Sequence, residues 1–101
     1  MTAAYGELRN LGNEPLRLES FDSDTFASVS LHLSVIEDGV SRMREQSDME
    51  IAPGDSLLLE PGGLHLMLMR ATREVRPGDE IEIGISSNGV RYPFKLVVET
   101  R

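Results

Sequence analysis

A chain of 101 residues with 40% hydrophobic content is long enough for one core, too short for two, and needs no covalent staple to fold. It has no cysteine, which excludes a disulfide framework, a thiolate zinc site, an iron–sulfur cluster, a cysteine nucleophile and a blue-copper centre, whose defining ligand is a thiolate. A net charge of −7 argues against nucleic acid and anionic lipid surfaces, and no apolar run approaches the ~20 residues that cross a bilayer.

The opening residues, Met1 to Tyr5, lack a basic stretch followed by an apolar one and do not read as a secretory signal. An exported protein would therefore be represented here in processed form, and Met1 is read as a start residue. Short strands are expected over residues 4–10 and 16–21, separated by Gly12-Asn13-Glu14-Pro15. Acidic Asp22 and Asp24 sit in turn-rich sequence, where such residues belong. A strand over 27–36 alternates, with Val29, Leu31, Leu33 and Val35 on one face and Ser28, Ser30, His32 and Ser34 on the other. Asp38-Gly39 is a two-residue hairpin turn leading into a strand over 40–46, where Arg42 and Arg44 flank Met43 on the opposite, solvated face.

Pro53-Gly54-Asp55 precedes a strand over 56–60, and Pro61-Gly62-Gly63 separates it from one over 64–71. That segment is apolar on both faces, as a central strand or a site strand would be: Leu64, Leu66 and Leu68 against His65, Met67 and Met69. Pro77-Gly78-Asp79 introduces a strand over 80–86 with Ile81, Ile83 and Ile85 alternating, and Asn88-Gly89 turns into a last strand over 90–98. With no sustained helical period, the expectation is one all-β domain over residues 1–101, a sandwich or barrel.

The chain has only two histidines, each accompanied by a methionine. His65 and Met67 leave the same face of a strand with roots ~7 Å apart, a span two such side chains can close around one ion. If Asp38 and Gly39 form the loop, Glu37 pairs with Val40, Ser34 with Met43 and His32 with Glu45, which makes His32 and Met43 diagonal neighbours. An odd loop would throw them to opposite faces. Neutral imidazoles and thioethers favour Cu(I) over zinc, calcium or magnesium, and such a set offers no thiolate or carboxylate charge to hold Cu(II). The plain alternative is that a histidine on a strand is a satisfied polar residue and methionine a core filler. Met49 and Met69 gain no role from spacing and are read as packing residues. Nothing local brings residues 65–67 to 32–43. The serines flanking His32 form a polar face without an identifiable oxyanion hole, and no enzyme constellation is evident.

The pattern His32-x10-Met43-x21-His65-x-Met67 resembles the signature of the PCuAC family of periplasmic copper chaperones. The likeness extends to Ala4-Tyr5 leading to Arg9-Asn10, to Ile36-Glu37-Asp38-Gly39-Val40, to Pro61 through Met69, and to Pro77-Gly78-Asp79. It covers about residues 4–98. The resemblance implies a cupredoxin-like Greek-key β-sandwich that binds one Cu(I) through His32, Met43, His65 and Met67, near the surface. It implies a non-catalytic carrier in the periplasm or otherwise outside the cytoplasm, with no membrane insertion. Its partner would be a copper-accepting protein: the copper subunit of cytochrome c oxidase, whose binuclear centre is assembled, or a thioredoxin-like assembly factor. Copper storage or scavenging shares the same site, and a metal-free interaction module shares the same strands. Members of that family usually carry a further strand, with a tryptophan and an arginine, before the Ala-Tyr segment; this chain has no tryptophan. The expected consequence is an open sheet edge beside the first strand, where copies could pair.

Overall fold

The computed structural model describes residues 2–47 and 49–100, so Met1, read above as a start residue, lies outside the described residues. Turn chemistry organises the chain. Asp38 and Gly39 take φ of 51° and 77°, and Asn88 and Gly89 take 50° and 80°. Positive φ at both central positions is the type I′ geometry whose twist matches that of paired strands.

The strands are β1 (Thr2–Arg9), β2 (Leu16–Arg17), β3 (Ser20–Asp22), β4 (Phe26–Glu37), β5 (Val40–Glu45), β6 (Glu50–Ile51), β7 (Ser56–Leu59), β8 (Leu64–Ala71), β9 (Glu80–Ser87) and β10 (Val90–Thr100). The all-β expectation holds. The main sheet runs β3-β9-β10-β1-β8-β4-β5, with β7 paired to β1 and a separate β2-β6 ladder. Every pairing is antiparallel. β3, at one end of this order, also lies against β4 near the other end, so the sheet curls into a β-sandwich. Leu31 of β4 and Leu66 and Leu68 of β8 join Ile81, Ile83, Ile85, Leu96 and Val98 in the buried core.

Three details depart from the sequence reading. The strand expected over 16–21 is split, because the chain changes layers there. The Leu18 amide donates to the Met49 carbonyl while the Glu19 amide donates to the Ser86 carbonyl. β6 has two residues, too few to show a period. The open edge expected beside the first strand does not run the length of β1. Its first half lies between β10 and β8, and its second half pairs with β7. The change of partner falls at Gly6, whose φ is 148° and where a Cβ would meet Leu96 at 2.8 Å. The ends of the main sheet are β3 and β5. β8, apolar on both faces, is interior between β1 and β4, as its sequence suggested.

Candidate metal centre

The site is built by three adjacent strands. β4 and β8 pair with His32 directly opposite His65, Ser30 opposite Met67 and Ser28 opposite Met69. The hairpin partner β5 sets Glu45 opposite His32 and Met43 opposite Ser34, the register expected from the Asp38-Gly39 turn. Directly opposed residues share a face. His65, Met67 and Met69 on β8, His32 on β4, and Met43 and Glu45 on β5 therefore stand together, on the face turned away from Leu31, Leu66 and Leu68.

The two imidazoles are the centre of this face. Their ring centroids are 6.1 Å apart and the planes are inclined by 21°. On the other side of His65 stands Tyr5 of β1, at 6.5 Å between centroids. Enclosed by these neighbours, His65 is 2% exposed. Its Nδ1 lies 3.1 Å from the Gly63 carbonyl oxygen. A carbonyl can only accept, so Nδ1 carries the proton and Nε2 of the neutral ring carries the lone pair. That Nε2 is buried and, among the described residues, has no hydrogen-bond partner. His32 places Nε2 2.8 Å from Ser30 Oγ, and its Nδ1 is likewise buried and unpartnered.

Burial holds His32 below its ordinary 6.5, against the opposing pull of the Glu45 carboxylate and with a smaller lowering from the neighbouring His65 ring. The net effect favours the neutral, ligating form of the ring. Buried polar atoms without partners are rare and call for an explanation. The His65 nitrogen carries a lone pair, and the His32 nitrogen on the neighbouring strand carries one when Ser30 Oγ accepts from its Nε2–H, an arrangement that suits a shared cation.

The methionines are not placed alike. Met67 is two residues from His65 and diagonal to His32, so its root is about 7–8 Å from each. Met43 is diagonal to His32 on the far side, displaced along the sheet in the direction opposite to Met67. Two strand spacings and four residues separate the two methionine roots, roughly 16 Å on a flat sheet. For both sulfurs to reach one ion, the Met43 side chain and its hairpin must fold back over the histidine row. Met43 is 45% exposed on an edge strand, so its side chain has that freedom.

Met69 corrects the sequence reading. It is 48% exposed and shares the face of His65 and Met67, so it is not a packing residue. Met49, read the same way, does pack against the core. Arg42 and Arg44 lie on the opposite, exposed face of β5 as expected, with Arg44 ion-paired to Glu37. Among the described residues no three histidine, aspartate or glutamate side chains already stand as a metal-holding group. A metal on this face as it stands must recruit thioether sulfur, which selects soft ions.

Fold and face together define an all-β sandwich protein with an imidazole–thioether surface on one sheet. The chain belongs to the family described as "Putative lipoprotein LpqE-like", which it matches over residues 1–100. It is similar to "Putative lipoprotein Lxx21020" of Leifsonia xyli subsp. xyli (strain CTCB07), with 33% identity over 101 residues, covering 98% of this chain and 61% of that protein. The chain thus spans less than two thirds of that relative's length. Membership of a lipoprotein family points to a location outside the cytoplasm, anchored or secreted.

Proposed function

We propose that this chain is a metallochaperone that carries one Cu(I) ion outside the cytoplasm, held by His32, Met43, His65 and Met67. The observation that carries the reading is the pair of buried imidazole nitrogens without partners on adjacent strands, with thioethers diagonal to them. The Gly63 carbonyl fixes the His65 tautomer from behind, as outer hydrogen bonds commonly do for metal-ligating histidines. Two neutral nitrogens and soft sulfurs favour the monovalent ion. The half-exposed Met43 leaves one side of the cargo open to an acceptor, as transfer requires.

Carriage is favoured over catalysis. Ser30 and His32 are hydrogen-bonded, but among the described residues the other ring nitrogen of His32 has no carboxylate to orient it, as a hydrolytic triad needs. The resemblance to periplasmic PCuAC chaperones extends the proposal to the acceptor, the copper subunit of cytochrome c oxidase or a thioredoxin-like assembly factor.

The test is titration with Cu(I) under reducing, anaerobic conditions against a chromophoric chelator, for the parent, His65→Ala and Met43→Leu. The proposal expects one tight equivalent in the parent, weakened by either change. No uptake by the parent, or uptake indifferent to His65, would overturn it and leave a metal-free interaction module. Retention of Cu(I) in the presence of the oxidase copper subunit would favour storage over delivery.

A further inference from the structure

We infer that the outer edge of β5 is a docking site for an extended segment of a partner protein whose side chains alternate between acidic and apolar. This goes beyond the copper reading and does not depend on it. β5 ends the main sheet, and all six of its residues, Val40–Glu45, are exposed. The two-residue turn makes Glu37 and Val40 a hydrogen-bonded pair, so Ser41, Met43 and Glu45 turn their amides and carbonyls away from β4. The Gln46 amide, which donates back to the Leu31 carbonyl, keeps the same alternation. Such an edge is a template for one more strand. Two other edges are blunted. β3 has only three residues. β10, where it runs beyond its pairing with β1, carries Pro93 at a position whose amide would point outward. β5 has no proline.

The side chains on the two faces of β5 specify the occupant. Arg42 and Arg44 leave one face, in a chain of net charge −7. Arg44 is ion-paired to Glu37, whereas among the described residues no side-chain ion pair or hydrogen bond engages Arg42. On the other face Met43 and its diagonal neighbour Ile36, the latter 79% exposed, form an apolar pair. An added strand with carboxylates opposite the arginines and apolar side chains between them meets both faces. The protein uses the same pairing internally, where Lys95 of β10 stands opposite Glu82 of β9 and Leu96 opposite Ile81. A second copy fits poorly. Antiparallel self-pairing centred on Arg42, Met43 or Arg44 sets arginine opposite arginine in every case, and like charges directly opposed are destabilising.

The experiment follows binding of a short capped peptide alternating glutamate and valine by fluorescence anisotropy, and maps it by amide chemical-shift changes in the isotope-labelled protein. A peptide alternating lysine and valine is the control. The glutamate peptide is expected to bind, to shift the amides of residues 40–45 and to weaken with added salt, as exposed ion pairs do. Arg42→Glu turns an opposite-charge pair into a like-charge one and is expected to weaken binding roughly 2–30-fold. Ser41→Pro removes one outward amide and is expected to abolish binding while the circular dichroism spectrum stays that of the parent. Equal binding of the lysine peptide, shifts confined to another part of the molecule, or binding unchanged in Arg42→Glu would overturn the inference. No binding of the glutamate peptide would also overturn it, leaving the arginines as guards of the edge. Self-association of the parent, lost in Ser41→Pro, would make a second copy the occupant and overturn it as well. None of these readouts involves copper, so failure of the copper reading is scored separately.

Discussion

Replacing His65 by leucine separates what the imidazole does for a metal from what it does to the fold. The side chain is 2% exposed and its Nε2 has no partner. A buried polar atom left unpaired costs roughly 1–3 kcal/mol. Leucine, of similar volume, removes that atom. It also removes the Nδ1–H bond to Gly63, a loss of about 0.5–1.5 kcal/mol. The Gly63 carbonyl is not orphaned, because the Ser34 amide still donates to it at 3.2 Å.

The balance makes the metal-free variant as stable as the parent or up to ~2 kcal/mol more so. At about 4–8 °C per kcal/mol for a domain of this size, its Tm should be unchanged or higher by up to ~16 °C. With copper the order reverses. At free Cu(I) a hundredfold above Kd the parent gains about 2.7 kcal/mol, equivalent to roughly 10–20 °C, and the variant loses most of that rise. Thermal melts followed by circular dichroism, with and without Cu(I) under reductant, read both effects. A metal-free variant melting more than ~5 °C below the parent would show that His65 is an ordinary structural residue. An undiminished copper-induced rise would show that it is no ligand.

Met67→Leu and Met43→Leu should both leave metal-free stability within ~1.5 kcal/mol, as volume-conserving changes do. In Cu(I) competition against a chelator, Met67→Leu should be the more damaging, because Met67 neighbours both histidines whereas Met43 neighbours only His32. The opposite ranking would mean that the hairpin, not β8, supplies the principal sulfur. Stability should also depend on pH through His32, which burial holds below its ordinary 6.5. Between the depressed value and 6.5 the unfolded chain binds more protons than the folded one, so stability rises with pH through that window and falls as pH drops below 6.5. Melts at intervals from ~pH 5 to ~7.5 should show a shallower slope for His32→Gln, and identical slopes would refute the assignment.

Much of the fold and half of the site were legible from local rules. Alternation placed Val29 and Leu31 toward the core and His32 away from it, and the burial of Leu31 agrees. Asp38-Gly39 specified the hairpin register down to Ser34 opposite Met43, because a type I′ turn leaves no slack in the pairing that follows it. Alternation also put Met69 beside Met67, but it cannot say whether a face is covered. That depends on the strands and side chains around it, and here Met69 is left half-exposed while His65, four residues before it, is enclosed by Tyr5 and His32. The layer change at Leu18 and Glu19 was invisible for a similar reason, since it depends on which distant carbonyls accept their amides.

The sequence by itself determined the two halves of the candidate site: His32 diagonal to Met43 across one tight turn, and His65 with Met67 along one strand. Both follow from backbone geometry over a few residues. Only the tertiary structure brought the halves together. His32 meets His65 because β4 lies beside β8 in this register, and that adjacency is set by Leu31, Leu66 and Leu68 sharing a core with strands from the far end of the chain. The same assembly buried two ring nitrogens with nothing to bond to. No short-range rule could supply that, since burial is a property of the packed whole.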